Sequence, residues 1–253
     1  MPPRDHDRPR PRVPRQPTPR PRDERPPPAL RIVHDDGRVI AVDKPPGLPA
    51  TGRDLDDPRS LEHQLAAYAG RRVWAVHQLD ADTSGVIVFV TRKSLVPVWA
   101  ERLSSRNADK QYLALCHGAP AFDELEVDAA IASTGRNKPP YWRVEPDAAD
   151  TDHARAARSR LRVLDRSDRH ALVQVTLVTG RSHQARLHLA HVGHPLVGEK
   201  VYRTPPCAEH ARHALHAHAI RFRDGGPPSE LVAPLAQDLR ELAARLGLTV
   251  PEP

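Results

Sequence analysis

Asp80 and Asp82 stand two residues apart in VHQLDADTSGVIVFV (76–90), just ahead of a β-branched run. Two carboxylates at that spacing can share acid–base work or hold a divalent cation. A hard-cation site asks for further oxygen ligands, and no additional carboxylate or Asn pattern accompanies this pair. Thr83-Ser84-Gly85 is a natural turn into the strand, so both Asp fall in a loop, where a side chain is readily presented to a cleft. A loop Asp serves equally well as a turn or cap residue, and the segment alone leaves these readings open.

A second cluster lies in TGRSHQARLHLAHVGHPLVGEKVY (179–202), which holds Arg181, His183, Gln184, Arg186, His188, His191 and His194. His188 and His191 are three apart on a helical pattern, which raises zinc. Zinc needs three or four convergent ligands. The usual Cys/His spacings are missing here and in the later CAEHARHALHAH (207–218). The reading is therefore no metal, with histidines that cap, pack or meet phosphate.

The elements that must position these residues follow from periodicity. RVIAVDKPPG (38–47) predicts a strand stopped by Pro-Pro-Gly. SLEHQLAAYAG (60–70) predicts a helix capped by Ser60 and ended by Gly70. GVIVFVTR (85–92) reads as a buried strand, with a helix expected around 98–107. KQYLALCHG (110–118) and ELEVDAAI (124–131) are further strands, and polar residues 133–156 read as a long exposed loop. ARSRLRVLDR and HALVQVTLVTG form a hairpin whose second strand places Ala171, Val173, Val175 and Leu177 on one face. SHQARLHLAHVG (182–193) reads as a helix with Ser182 as N-cap. ALHAHAIRFR alternates as a strand, and LAQDLRELAARLG is an amphipathic helix. Strands dominate without a βαβ rhythm. The expectation is an α+β fold with a mixed, largely antiparallel central sheet and flanking helices.

The 253 residues are 39% hydrophobic and 28% charged, a balance that fits a soluble globular chain. Residues 1–28 hold eleven of the 28 prolines, and eight Arg against four Asp and Glu, so most of the net +6 sits there. Such a segment cannot bury apolar surface, and it reads as an extended tail, either solubilising or adding salt-sensitive affinity for phosphates. The expected organisation is a 1–28 Pro/Arg-rich tail and a 29–253 catalytic domain. No apolar core of a secretory signal follows the basic residues, and no run is long enough to span a bilayer. Two cysteines, Cys116 and Cys207, give no disulfide framework and fit a reducing, cytoplasmic setting.

HQLDADTSG (77–85) resembles the H-R-L-D-x-x-T-S-G signature of the RluA-type RNA pseudouridine synthases. VIAVDKPPGLPA resembles that family's first strand and Lys-Pro-x-Gly turn, and KQYLALCHG its Lys-x-Tyr-x-Ala-x-x-x-Gly stretch. TGRSHQARLHLAHVGHPLVGEKVY is similar to its Thr-Gly-Arg-x-His-Gln-x-Arg-x-His block. RHALHAHAIRF with LVAPLAQDL resembles its C-terminal segment. The five blocks occur in family order between about residues 29 and 246, with no S4-type RNA-binding domain ahead of them.

The resemblance implies the pseudouridine synthase fold and an isomerisation of uridine in ribosomal or transfer RNA. The bond from ribose C1′ to uracil N1 breaks, the base turns, and C1′ is rejoined to C5. Substrate and product have the same atoms, so no cofactor or metal is implied. By resemblance Asp80 is the catalytic carboxylate, as nucleophile or base, Tyr112 stacks on the uracil, and Arg186 pairs with Asp80. The same motifs offer His77, Gln78, Thr83, Arg181, His183 and Gln184 to the substrate, and Asp82 fills a variable position. The Arg that the family links to flipping the target base is Gln78 here, which carries no charge for phosphate. The expected partner is RNA, bound by a monomer, without a membrane or small-molecule cofactor. Two other readings remain: a non-catalytic RNA-binding or ribosome-assembly protein on the same fold, and a metal-dependent hydrolase using Asp80, Asp82 and the histidines.

Overall fold

The structure, a computed structural model, describes residues 30–52, 57–104, 107–136, 138–145 and 154–251. The 1–28 tail lies outside the described residues. Thirteen strands and four α-helices alternate irregularly among those described. The strands are β1 (Arg31–Asp35), β2 (Val39–Lys44), β3 (Trp74–Ala75), β4 (Ser84–Val90), β5 (Ala108–His117), β6 (Glu124–Asp128) and β7 (Ala130–Ser133). They continue with β8 (Trp142–Glu145), β9 (Ala154–Arg155), β10 (Arg158–Arg166), β11 (His170–Leu177), β12 (Leu215–Phe222) and β13 (Glu230–Val232). The helices are α1 (Leu61–Ala69), α2 (Val96–Arg102), α3 (Gln184–His191) and α4 (Gln237–Arg245).

One large sheet runs β1-β2-β4-β12-β5-β11-β10-β6, with β3 on β4 and β13 on β12. Its pairings are antiparallel except β4 with β12, which is parallel. The expected mixed, largely antiparallel α+β architecture is therefore what forms. Helices cover both faces, which is why β4 reads as one unbroken apolar run. Val86, Val88 and Val90 pack with Trp99 of α2 and with Phe222. Ile87 and Phe89 pack on the other face with Leu61 and Leu65 of α1. In the other half, Ala114, Val173 and Val175 meet Ala185 and Leu189 of α3. Leu113, Leu115 and Leu172 meet Leu239 and Leu242 of α4. Tyr112 touches the clusters under both α1 and α3, so it stands where the two halves of one face adjoin.

Several local expectations hold. Ser60 Oγ accepts from the His63 N–H, and Gly70 ends α1 in the left-handed conformation. β10 and β11 form the hairpin, with Ala171, Val173, Val175 and Leu177 on its buried face. Others need correction. α2 starts at Val96 and ends at Arg102, because Pro97 suits a helix's first turn. Residues 124–131 are two strands in different sheets, split at Ala129, whose N–H goes to Ala157. The stretch 133–156 is not one exposed loop: β8 and β9 pair with β7 in a small three-stranded sheet. Its polar sequence hid the strands because only a few small side chains there, such as Ala132 and Ala154, need burial. Ser182 does not cap α3; His183 occupies that position.

Two glycines allow close approaches that shape the site. A Cβ on Gly85 (φ 110°) would lie 2.1 Å from the Ala217 carbonyl oxygen, so only Gly lets β4 lie against β12 here. A Cβ on Gly198 (φ 77°) would lie 2.0 Å from the Arg212 carbonyl oxygen. That glycine brings the residues before Glu199 against the residues leading into β12.

Candidate active site

The loop 77–83 enters β4 and is held from every side. His77 Nε2 accepts from the Val88 N–H at 3.1 Å, tying the loop's start to the strand it precedes. Burial first, and Lys110 second, lower the His77 pKa to about 4, so this imidazole stays neutral. The Lys44 ammonium donates to the carbonyls of Pro45, Leu48 and Ala81 at 3.0, 2.9 and 2.7 Å. Those three acceptors match its three N–H bonds, while burial lowers its pKa to about 7. Arg212 Nη1 donates to the Asp82 carbonyl at 2.9 Å, and its Nη2 to Ser84 Oγ at 3.1 Å. Asp238 anchors that guanidinium at 2.7 and 3.0 Å. Thr83 Oγ1 and His213 Nε2 are hydrogen-bonded at 2.8 Å.

This bracing fixes Asp80 in the wall of a cavity of about 460 Å³, a size usual for a small-ligand site. Asp80 Oδ2 accepts from Arg186 Nη1 at 2.8 Å. The same guanidinium turns Nε and Nη2 to the carboxylate of Glu199 at 2.9 and 2.8 Å. Burial alone would lower the Arg186 pKa, but Glu199 and then Asp80 more than reverse it and hold the side chain charged. Burial opposes the Glu199 charge too, and Arg186 again wins, keeping that carboxylate ionised. Glu199 is fully buried, and its Oε1 also accepts from the N–H groups of Val201 and Tyr202. The outcome is a rigid cation whose one free edge faces Asp80.

His183 sits at φ 57°, the one left-handed non-glycine residue among those described. Such a backbone stores strain of roughly 1–3 kcal/mol and tends to occur where function fixes geometry. Here it places Nε2 3.5 Å from Asp80 Oδ1, with Nδ1 and the Tyr202 hydroxyl hydrogen-bonded at 2.5 Å. The Arg186 guanidinium lies over the Tyr202 ring at 5.0 Å. Tyr112 also lines the cavity. Burial, reinforced by Asp80, raises its phenol well above the ordinary value, so it remains a neutral donor.

The structure thus brings together Asp80, Tyr112, Arg186, His183, Arg181 and Gln78 around one cavity. His77, Thr83 and Gln184 line it as well, and the last two are also held by bonds within the protein. Gln184 is buried and its bonds are spent: Oε1 accepts from Thr179 Oγ1 and the Arg181 N–H, and Nε2 donates to Arg158 O and Ser159 Oγ. It shapes the turn into α3, the task expected of Ser182. Thr83 is buried and committed to His213. Asp82 is exposed and joins the network through its backbone carbonyl. Lys44, Lys110, Glu199, Tyr202, Arg212 and His213 were not singled out from sequence. Glu199 carried a signal: it is the one acid between Arg181 and Tyr202, in a stretch otherwise basic or neutral.

Residues 38–191 match the family model described as RNA pseudouridylate synthase. The chain belongs to this family. A ribosomal large subunit pseudouridine synthase D of Xylella fastidiosa (strain Temecula1 / ATCC 700964) is 34% identical over 237 residues, covering 86% of this chain and 69% of the relative. A dual-specificity RNA pseudouridine synthase of Vibrio cholerae serotype O1 is 31% identical over 197 residues, 77% of this chain and 78% of the relative. Among solved structures, human RNA pseudouridylate synthase domain containing 1 superposes with a TM-score of 0.68 at 25% identity, over 88% of this chain and 96% of that one. The protein is thus an RNA pseudouridine synthase, an isomerase. Among its described residues no helix is long and apolar enough to cross a membrane.

Proposed function

We propose that this synthase isomerises uridines of ribosomal or transfer RNA with Asp80 as its catalytic carboxylate. The observation that carries the reading is the geometry of Asp80: a carboxylate lining a cavity, paired at 2.8 Å with a guanidinium already neutralised by Glu199. Arg186 holds the Asp80 carboxylate in one orientation, from which it acts on ribose C1′ or on the base. Tyr112 offers a ring for the uracil to stack on and a protonated hydroxyl for proton transfer near C5. The proton lost at C5 is balanced by the one gained at N1, and no other reactant is consumed. Lys110 and Arg181 line the same cavity and supply positive charge for the phosphates on either side of the target.

His77 and Thr83 act as anchors of the Asp80 loop, and His183 meets the substrate from beside Asp80. Gln78 is exposed and lines both this cavity and an adjoining pocket of about 330 Å³ with Trp74, Lys93 and Thr51. In that place an amide can fill the space a flipped base vacates and bond a base edge, without the charge an Arg would bring. Residues 29–253 act as the catalytic unit, and the 1–28 segment adds affinity for RNA through its arginines. The ribosomal name of the Xylella relative makes large-subunit ribosomal RNA the first substrate to try.

The test is tritium release from RNA labelled at uracil C5. Asp80→Asn, folded as wild type by circular dichroism, should lower release by at least about 10²–10⁴-fold. Release that survives the substitution removes Asp80 from the mechanism. Cellular RNA that lacks any pseudouridine dependent on the protein would favour the non-catalytic RNA-binding reading instead.

A further inference from the structure

On the side of the sheet covered by the 199–213 segment, away from the catalytic cavity, four side chains with metal-ligand chemistry converge. His117 ends β5 and His170 begins β11; the two are paired in register, with ring centroids 5.3 Å apart. Cys207 and Glu209 come from the connection between Glu199 and β12. His117 Nε2 and Cys207 Sγ are 3.2 Å apart. Glu209 turns its two oxygens to His117 Nδ1 at 4.0 Å and to His170 Nε2 at 3.5 Å. Among the described residues, His117, Cys207 and Glu209 are the one group whose ligand atoms all lie within 4.8 Å of one another.

We propose that His117, Cys207 and Glu209, completed by His170, form a binding site for a divalent transition metal of the zinc class. Bonds of ~2.0–2.3 Å in a tetrahedron set ligand atoms about 3.3–3.8 Å apart; the ligand atoms of His117, Cys207 and Glu209 already lie within 4.8 Å of one another, so these three converge with shifts of about 1 Å. Thiolate, imidazole and carboxylate are the donor set such a metal takes. The Gly198 N–H donates to Cys207 Sγ at 3.2 Å, which orients the sulfur within the cluster. Glu209 and its half-exposed carboxylate give an entry path from solvent. Arg203 is the opposing group: its Nη1 lies 3.3 Å from the same His117 Nε2, so guanidinium and metal compete for one lone pair.

Sequence spacing could not show this site, because two of the ligands come from neighbouring strands remote from CAEHARHALHAH. Its place in the fold gives it a consequence. The Cys207 N–H donates to the Glu199 carbonyl at 2.8 Å. A metal here would pin the segment that carries the carboxylate holding Arg186, stiffening the active site from behind.

The full chain, stripped with chelator and titrated with Co²⁺, tests this without reference to activity. One equivalent should give visible bands of tetrahedral cobalt and a thiolate-to-cobalt charge-transfer band in the near ultraviolet. Zn²⁺ should displace both. Cys207→Ser should abolish the charge transfer, and Arg203→Gln should tighten binding. Should Cys207→Ser lose its fold, Glu209→Gln carries the test at a half-exposed position, weakening Co²⁺ binding by about 10–100-fold. Absence of the charge-transfer band in wild type, or its persistence in folded Cys207→Ser, overturns the proposal, as does unchanged affinity in Glu209→Gln.

Discussion

Two regions of the molecule use the same pairs of residue types to opposite effect. At the sheet's β6 edge, Arg158, Arg160 and Arg162 face Asp128, Glu126 and Glu124 across strands, in register and in solvent. At the centre, Arg186 lies between Glu199 and Asp80, and Arg212 between Asp238 and the Asp82 carbonyl. On the edge, water screens each charge and either partner can leave without stranding the other. In the centre, Glu199 and Arg186 have given up hydration, so removing either one costs the other its main compensation for burial. Exposed pairs decorate a strand whose register is already set by Ser159 and Leu161 facing inward. Buried pairs hold a reactive group in one position.

The largest expected difference follows from removing one partner at the centre. Glu199→Ala leaves a buried guanidinium paired only with Asp80, and unfolding by urea should show a loss of about 3–5 kcal/mol. Tritium release should fall further than stability alone accounts for, because Arg186 would then be free to turn away from Asp80. A loss under about 1 kcal/mol would mean that water already reaches Arg186, and the contrast with the edge would disappear.

A middle-sized effect should come from pH. Burial lowers His77, His213 and His216 from 6.5 to about 4 in the folded chain. The unfolded chain therefore binds their protons more readily throughout that interval. Stability should be unaffected by them above about pH 6.5 and fall as pH drops from there toward 4, by at most about 1.4 kcal/mol per pH unit for each histidine. His213→Gln keeps a polar partner near Thr83 Oγ1 and removes one titrating group, so the acid limb of the stability curve should become shallower. An unchanged slope would show that His213 is not shielded as the loop's bracing requires.

The same division explains how much could be read from the sequence. β4, the β10–β11 hairpin and α4 announce themselves by apolar periodicity, because their side chains obey local burial rules. Asp80, Tyr112 and Arg186 stood out through motif blocks, and the structure gathers them about one cavity. Glu199 and Arg212 stayed hidden because their roles arise from contacts 13 and 128–130 residues away in sequence. Gln184 carries a structural task that its motif position did not show: it lines the cavity, and its four bonds tie the turn before α3 to the start of β10. β8 and β9 were concealed by composition, since a small sheet with little to bury needs no apolar alternation.

The smallest effect should be found where the pairs are most numerous. Arg160 and Glu126 approach to 3.4 Å with side chains 59% and 48% exposed. A double-mutant cycle of Arg160→Ala and Glu126→Ala should yield a coupling of about 0.2–1 kcal/mol, shrinking further as salt is raised. Arg158 also reaches Glu126, at 3.5 Å, so the single substitution leaves the carboxylate a second cation and the cycle should sit near the low end. Tritium release should not change in either variant, because the exposed Arg160 and Glu126 side chains lie at the solvent edge of the sheet and neither lines the cavity. A coupling above about 2 kcal/mol would instead make the edge a cooperative network, and its charges would then have to be counted among the restraints on the turn that leads into α3.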